Sequence, residues 1–319
     1  MSRIGEHLAN KRLVVTGGTG FLGKHLQEVA RAEGLQQARF LGSREYDLTD
    51  PAEARRLVGE ECPDILVHAA AVCGGIGANR AEPGRFFYAN AVMGVHLIEE
   101  ARRAGVEKFV QLGTVCSYPK NATPPFREDG LWDGYPEETN APYGVAKKML
   151  LVQLQAYREQ YGFNGVYLIP VNLYGPYDNF DLETSHVIPA LIRRFDDAMR
   201  LGYDSVTLWG DGTPSREFLH ARDAARGILL AAALYNEPEP VNLGTGREIT
   251  IRELAELVAR EVGYTGGIAW DTSKPNGQPR RRLDTTRAKA RFGFEAQVPL
   301  EEGIAETVAW YRSAPAPIR

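Results

Sequence analysis

Short apolar segments alternate with amphipathic segments along the first half of the chain. The apolar segments predict strands at residues 11–18, 38–42, 64–71, 107–113 and 164–172. Helical periodicity predicts helices at residues 21–34, from Thr49-Asp50-Pro51 onward, at about 83–104 and at 141–162. Strands that alternate with helices form parallel sheets covered by helices on both faces. The pattern therefore predicts an α/β fold with a doubly wound parallel sheet.

The alternation becomes less regular after residue 172. Here the pattern predicts a strand at 240–246, two helical stretches near the C-terminus, and helices at about 186–200, 221–236 and 250–262. We interpret the whole pattern as two domains. The sheet domain consists of residues 1–172 plus about 217–245. The smaller C-terminal α/β domain consists of about 173–216 plus 246–319.

Composition narrows the class of protein. The 319 residues include 44% hydrophobic and 24% charged residues, with a net charge of −4, and no basic block indicates nucleic-acid binding. No apolar run reaches the roughly 20 residues of a membrane helix, and the N-terminus lacks the apolar core of a signal peptide. Cys62, Cys73 and Cys116 form no CxxC pair, so neither disulfides nor a metal site is expected. A cytoplasmic location fits this composition best.

A glycine-rich loop follows the first predicted strand. In the stretch TGGTGFLG (16–23), Gly17, Gly20 and Gly23 let the backbone turn tightly beside a helix N-terminus, where N–H groups favour a pyrophosphate. The predicted cofactor contacts are Gly17, Gly18, Thr19, Gly20, Phe21, Leu22 and Gly23. The sheet domain is therefore expected to bind a dinucleotide.

The end of the second predicted strand bears on which dinucleotide is bound. An NAD site usually carries an acidic residue there, whereas this chain has Ser43 and Arg44, which could accept a 2′-phosphate. This favours NADP(H), although Arg44 could equally be an ordinary surface charge.

Tyr143 and Lys147 lie four residues apart in a predicted helix and therefore share one face. An ammonium beside a phenol lowers the phenol's pKa, so that the pair can exchange a proton with a carbonyl. Thr114, at the end of the preceding predicted strand, could donate a hydrogen bond to the same oxygen. Thr114, Tyr143 and Lys147 are therefore candidate catalytic residues.

These motifs resemble those of the extended short-chain dehydrogenase/reductase family. The resemblance implies a Rossmann fold, a Thr/Ser–Tyr–Lys catalytic set and a nucleotide-sugar substrate. It also implies a homodimer formed through two long helices, here about 83–104 and 143–161, although their apolar faces could instead cover the sheet. Further expected cofactor contacts are Asp47, Leu48, Leu112, Tyr143, Lys147, Pro170, Asn172, Leu173 and His186.

Seven further stretches resemble, in order, those of the GDP-L-fucose synthase family. They are AAAVCGGIGAN, GTVCSYPK, TNAPYGVAK, VNLYGPYDNF, SHVIPALIRRF, WGDGTPSREFLH and KPNGQPRRRLD. The resemblance implies NADPH-dependent conversion of GDP-4-keto-6-deoxy-D-mannose into GDP-L-fucose, by epimerisation at C3 and C5 and reduction at C4. Cys116 and His186 match the acid–base pair of the epimerisation, since a thiol and an imidazole exchange protons near neutrality.

Substrate contacts are implied in the same way. The matching positions are Asn172, Arg194, Trp209, Arg216 and Lys274. An arginine fork suits a diphosphate, although Arg194 could be a surface charge and Trp209 a core residue. Thr114 stands where many family members have serine, which adds a methyl group to the pocket and could reflect a different sugar.

Two other functions stay open. The chain could be a C4 reductase or an epimerase–reductase for another GDP-4-keto sugar, such as a heptose, or a non-catalytic dinucleotide-binding protein. Three residues are expected to be structural: Cys73 by packing among small residues, Cys62 beside Pro63, and His68 as a core histidine.

Overall fold

The computed structural model describes residues 2–274, 276 and 278–314. Its helices are α1 (Arg3–Leu8), α2 (Phe21–Ala32), α3 (Pro51–Glu61), α4 (Ile76–Ala81), α5 (Pro83–Arg103), α6 (Ala141–Tyr161), α7 (Val187–Leu201), α8 (Ala221–Leu234), α9 (Ile251–Val262), α10 (Thr286–Phe292) and α11 (Leu300–Ser313). Its strands are β1 (Leu13–Thr16), β2 (Arg39–Leu41), β3 (Ile65–His68), β4 (Lys108–Leu112), β5 (Gly165–Pro170), β6 (Asn172–Tyr174), β7 (Ser205–Trp209), β8 (Ser215–Arg216), β9 (Phe218–His220), β10 (Val241–Leu243), β11 (Ile249–Thr250), β12 (Gly267–Asp271) and β13 (Arg280–Arg281).

The main sheet has the strand order β10-β5-β4-β3-β1-β2, and every neighbouring pair is parallel. Every residue of β1, β3, β4 and β5 is buried, as expected for strands covered by helices on both faces. The chain places β2 on one side of β1 and β3 on the other, so the order reverses there. Ligands bind at such a reversal, outside the carboxyl ends of the strands. The predicted α/β Rossmann-type fold is confirmed.

Polar caps and glycines set several helix ends. Asp50 caps α3 by accepting a hydrogen bond from the N–H of Ala52, and Thr250 and Glu253 form a capping box at the start of α9. The helices α6, α7 and α9 each end at a left-handed glycine, namely Gly162, Gly202 and Gly263. These signals explain why the predicted helices lie close to the observed ones.

A second hydrophobic core lies apart from that of the main sheet. It is built mainly from α7, α9, α11 and the two-stranded sheet β7–β12, with Phe195, Leu254 and Ile304 fully buried. The exact division into two domains stays a prediction. Among the described residues, no helix combines the length and the apolar character needed to cross a membrane.

Some element predictions were incomplete. The predicted strand at 164–172 is divided between β5, in the main sheet, and β6, which pairs with β9. Helices α1 and α4 and strand β12 were not predicted. The chain leaves the main sheet immediately after Pro170, at the edge where the functional site lies.

Candidate active site

One large cleft runs along the carboxyl ends of the central strands, between the main sheet and the second core. Most of the residues predicted from the sequence line it, namely Gly17, Thr19, Gly20, Phe21, Leu22, Gly23, Ser43, Asp47, Leu48, Leu112, Thr114, Cys116, Tyr143, Lys147, Pro170, Asn172, Leu173, His186, Arg194, Trp209 and Arg216. Three predicted residues, Gly18, Arg44 and Lys274, are not part of its lining. The fold therefore brings the cofactor, catalytic and substrate predictions into one cavity.

The glycine loop forms a close-fitting cradle between β1 and α2. Gly17 has a left-handed φ of 71°, and a Cβ there would lie 2.7 Å from the backbone nitrogen of Ala70. A Cβ at Gly23 would overlap the carbonyl of Gly17. Gly20 occupies the N-cap of α2 without a side-chain cap, and the first turn of α2 carries no acidic residue. The free N–H groups of this helix start fit a dinucleotide pyrophosphate.

Gly18 packs against β2 behind the cleft lining, and the cofactor contact expected of it stays a prediction. A Cβ on Gly18 would come within 2.6 Å of the backbone of Phe40, so this glycine lets the loop pack against β2 behind the cleft. It supports the cradle from outside the cavity.

Beyond β2, the loop carries two acidic residues, Glu45 and Asp47, which accept hydrogen bonds from within the loop. The N–H of Gly42 donates a hydrogen bond of 2.8 Å to the carboxylate of Glu45. Asp47 accepts hydrogen bonds from the backbone and the hydroxyl of Thr49, and these bonds lower the pKa of Asp47. Ser43 and Arg44 are both exposed. Ser43 lines the cleft, whereas Arg44 is not part of its lining.

Thr114, Tyr143 and Lys147 meet where β4 ends against α6. The hydroxyl of Thr114 accepts a hydrogen bond of 3.2 Å from the N–H of Cys116, which starts a 3₁₀ turn at Val115–Ser117. Tyr143 lines the cleft together with Thr114. Lys147 is only 1% exposed, and its Nζ lies 3.5 Å from the carbonyl oxygen of Ala70. The three side chains thus converge on one part of the cleft.

Burial dominates the proton affinities of this set. It raises the pKa of Tyr143 well above its ordinary value, the thiols of Cys73 and Cys116 add to the rise, and Thr114 opposes it. Burial also lowers the pKa of Lys147 to about 8. The direction for Tyr143 is opposite to the one predicted, because burial away from water disfavours the phenolate. A neutral phenol is the form that donates a proton.

Cys116 and His186 line the same cleft from different elements. Cys116 is half-buried in the 3₁₀ turn after β4, and Nη1 of Arg281 lies 3.7 Å from its sulfur. His186 precedes α7 at the N-cap position, but its side chain makes no capping hydrogen bond there. Burial lowers the pKa of His186. The imidazole of His186 therefore does not cap α7.

The predicted substrate residues approach from the second core and from β6 to β8. Asn172 donates a hydrogen bond of 2.9 Å to the carbonyl of Glu217. Trp209 is 68% exposed, so the core-packing alternative is wrong for it. Lys274 does not line the cleft, but its Nζ lies 5.7 Å from the centroid of the Trp209 ring.

Arg216 is a predicted substrate residue whose charge interacts with the thiol of Cys116. Burial and the charge of Arg281 lower the pKa of Arg216 to about 10, and the sulfur of Cys116 opposes this shift. Arg216 therefore carries its positive charge at neutral pH.

The sequence analysis missed three residues of the cleft wall. Arg281 contacts Cys116, and Gln278 accepts two hydrogen bonds from Arg281. Asp178 is buried, its Oδ2 has no hydrogen-bond partner among the residues that the structure describes, and burial raises its pKa to about 7. Arg281 and Gln278 belong to the stretch KPNGQPRRRLD, but nothing in that run distinguishes the arginine that faces the cleft.

Three residues expected to be structural have mixed outcomes. His68 is a core histidine as predicted, with Nδ1 hydrogen-bonded to Thr16 at 2.8 Å. Cys73 is exposed in the cleft, so packing among small residues does not explain it. Cys62 is exposed at the C-terminal end of α3.

Comparison with known proteins establishes the class. The model of the NAD dependent epimerase/dehydratase family matches residues 13–244. The chain belongs to this family, and the predicted membership of the extended short-chain dehydrogenases/reductases is confirmed. Together with the glycine cradle, this membership identifies a chain that binds a nicotinamide dinucleotide.

Particular relatives share nearly the whole chain. The probable GDP-L-fucose synthase 1 of Oryza sativa subsp. japonica is 41% identical over 307 residues, which cover 95% of this chain and 93% of the relative. The crystal structure of a GDP-L-fucose synthetase from Naegleria fowleri bound to NADP has a TM-score of 0.87 at 29% identity, covering 94% of this chain and 93% of that one. A GDP-6-OMe-4-keto-L-xylo-heptose reductase from C. jejuni has a TM-score of 0.90 at 26% identity, covering 96% and 98%.

Proposed function

We propose that the chain is a bifunctional epimerase–reductase that converts GDP-4-keto-6-deoxy-D-mannose into GDP-L-fucose with NADPH. The observation that carries this proposal is that one strand end serves both reactions. Thr114 and Cys116 share the turn after β4, and both line the cleft that Tyr143, Lys147 and His186 also line. The relative from Oryza, similar over nearly its whole length, is named for the same product.

Epimerisation uses the thiol and the imidazole. The carbonyl at C4 acidifies the hydrogens on C3 and C5. One of Cys116 and His186 removes such a proton, and the electron pair of the broken C–H bond moves onto the C4 oxygen. Hydrogen bonds from Tyr143 and Thr114 stabilise the negative charge that develops there. The other member of the pair then returns a proton from the opposite face of the ring.

Reduction uses the tyrosine. Tyr143 is neutral because burial raises its pKa, so it can donate its proton to the C4 oxygen while Thr114 donates a hydrogen bond to the same atom. NADPH, when bound, supplies the hydride for C4. Lys147 is protonated at neutral pH, since its pKa of about 8 lies above 7, and it returns a proton toward Tyr143.

Several residues would hold the cofactor. The N–H groups at the start of α2 suit the pyrophosphate, and Ser43 and Arg44 suit a 2′-phosphate. Glu45 is occupied by the N–H of Gly42, which favours NADP(H) over NAD at this loop. We expect Arg44→Ala to raise KM for NADPH while leaving KM for NADH nearly unchanged. Equal effects on both cofactors would contradict the proposed preference.

The decisive test is turnover in D2O. Purified protein is incubated with GDP-4-keto-6-deoxy-D-mannose and NADPH, and the product is analysed by NMR. We expect GDP-L-fucose carrying solvent deuterium at both C3 and C5. Product without deuterium at either carbon would overturn the epimerase part of the proposal, whereas deuterium exchange without reduction would overturn the reductase part.

A second candidate keeps the fold and cofactor but changes the sugar. The C. jejuni heptose reductase is similar over almost the whole chain, with a TM-score of 0.90. Because that protein is named as a reductase of a GDP-4-keto-heptose, C4 reduction of such a heptose is the alternative. Faster turnover of such a heptose than of the 6-deoxy sugar, measured as kcat/KM in the same assay, would favour this candidate.

We also propose a homodimer formed through the outer faces of α5 and α6. Phe87 and Tyr88 of α5 and Met149 and Val152 of α6 are exposed on these helices. Exposed apolar surface of this kind is typical of an interface between protein chains. A cytoplasmic location stays a prediction from the cysteine content.

A further inference from the structure

Glu217 is a fully buried carboxylate that the proposed mechanism does not use. It lies between β8 and β9, immediately after Arg216 in the chain. Oε1 accepts hydrogen bonds from the N–H groups of Gly246 and Thr245 at 2.8 and 2.5 Å, and Oε2 accepts one from Leu283 at 2.6 Å. A buried charge is tolerated only when it is compensated in this way.

The surrounding backbone is shaped around this carboxylate. A Cβ at Gly244 would overlap Oε1 of Glu217, so the loop after β10 approaches closely only because position 244 is glycine. The side chain thereby joins two segments that are distant in sequence, the loop at residues 244–246 and the strand that ends near Leu283.

The strand held by Glu217 is the one that carries Arg281. The N–H of Glu217 donates to the carbonyl of Arg281 at 3.1 Å, and its carboxylate accepts from Leu283 two residues later. β13 also pairs with β8, where Arg281 lies opposite Arg216. Glu217 thus contacts both the last residue of β13 and Leu283, two residues beyond it.

Arg281 connects β13 to the thiol of Cys116. Its Nη1 lies 3.7 Å from Sγ of Cys116. Its Nε and Nη2 donate to Oε1 of Gln278 at 3.0 and 2.7 Å, and Gln278 donates to the carbonyl of Lys120 at 2.6 Å. The guanidinium is therefore fixed by its strand, by Gln278 and by the loop that follows Cys116.

We propose that Glu217 is a positioning residue for the epimerisation, because it holds β13 so that the Arg281 guanidinium stays against Cys116. A positive charge beside a thiol favours the thiolate, which is the form that accepts a proton. The role of Glu217 in catalysis rests on the proposed function, but its effect on the reactivity of the Cys116 thiol can be measured without the substrate.

Alkylation of Cys116 tests this directly, because iodoacetamide reacts with the thiolate. Rates are measured for the full-length chain by peptide mass spectrometry at pH 7 and pH 10. The exposed Cys62 serves as an internal reference in every sample. The variants are Glu217→Gln, Arg281→Gln and the double variant. Glu128→Gln is the matched control, since Glu128 is also buried and accepts a hydrogen bond from the backbone of Asn242.

We expect both single variants to slow alkylation of Cys116 about tenfold at pH 7 relative to Cys62. The double variant should be no slower than Arg281→Gln, because the two residues act in series. At pH 10 all rates should converge, because thiols ionise there without help. Glu128→Gln should lower the melting temperature without changing the ratio of the alkylation rate of Cys116 to that of Cys62.

Two results for Glu217→Gln would overturn the proposal. One is a lower melting temperature with the wild-type ratio of the Cys116 and Cys62 alkylation rates at pH 7, because Glu217 would then have a purely structural role. The other is equal slowing at pH 7 and pH 10, which would indicate altered access. If Glu217→Gln does not fold, the proposal is overturned when Arg281→Gln keeps the wild-type ratio of the Cys116 and Cys62 alkylation rates at pH 7. Failure to form GDP-L-fucose would contradict the proposed function and leave these rates interpretable.

Discussion

At the scale of single residues, the proposed mechanism separates two proton chemistries by two positions of the chain. Thr114 starts the 3₁₀ turn after β4, whereas Cys116 within the turn contacts Arg281. Both side chains line one cleft. A single sugar can therefore meet the reducing and the epimerising groups without leaving the site.

Replacing the thiol should separate the two reactions. We expect Cys116→Ser to slow deuterium incorporation at C3 and C5 by about 100-fold or more, because a hydroxyl is a far weaker acid than a thiol. Binding of NADPH should be unchanged, and C4 reduction should persist in part. NMR of the product and fluorescence titration of NADPH measure these effects. Cys62→Ser, at an exposed site outside the cleft, is the control. Normal deuterium incorporation at C3 and C5 in Cys116→Ser would show that the thiol has no part in the mechanism.

The buried ammonium of Lys147 should cost stability. Burial lowers its pKa to about 8, so the unfolded chain binds this proton more tightly than the folded one. Stability of the wild type should therefore rise between about pH 8 and pH 10.5 as the folded state loses this disadvantage. We expect Lys147→Met, without cofactor at pH 7, to increase the free energy of unfolding by about 2 kcal/mol while reducing activity more than 100-fold.

Urea denaturation at several pH values measures this difference. The gain of Lys147→Met over the wild type should shrink as the pH rises through the same window. Lys289→Met, at an exposed ion pair on α10, is the control and should change stability by less than about 0.5 kcal/mol. A loss of stability in Lys147→Met would show that the ammonium is compensated in the folded chain.

At the scale of elements, the contact between β1, its glycine loop and α2 decides cofactor binding. A Cβ at Gly23 would overlap the carbonyl of Gly17, so Gly23→Ala must push α2 away from the cradle. We expect NADPH affinity to fall at least tenfold and stability to fall by about 2 kcal/mol. Gly59→Ala is the matched control, since a Cβ at this helical glycine of α3 meets open space and should be neutral or stabilising. Equal affinities in both variants would contradict the close fit.

Much of this element order could be predicted from local signals, and the exceptions have physical reasons. Asp50 and Gly162 mark ends of α3 and α6 through side-chain and backbone chemistry that a sequence displays. The break between β5 and β6 was missed although Pro170 stands there, because the apolar residues on both sides of it predict one strand. Arg281 was missed because its role depends on the pairing of β13 with β8, which is a long-range contact. The rise in the pKa of Tyr143 depends on burial, which spacing does not display.

At the scale of the whole molecule, the apolar surface on α5 and α6 needs an explanation beyond the single chain. The two helices pack against each other and cover the sheet, yet a groove beside them is lined by Val95, Trp132, Tyr135, Met149 and Val152. Met149 and Val152 are 37% and 49% exposed in the isolated chain. A second copy that presents the same face would cover these residues and is compatible with twofold symmetry.

The assembly can be tested by placing charge on this face. We expect the wild type to have twice the mass of the 35.2 kDa chain in size-exclusion chromatography with light scattering. The double variant Met149→Glu and Val152→Glu should have the mass of one chain, because burying two carboxylates at the interface costs more than the apolar contact contributes. Leu201→Glu, at a 63% exposed position near the end of α7, is the control and should remain dimeric. A monomeric wild type, or a double variant that stays dimeric, would show that this face is not the interface.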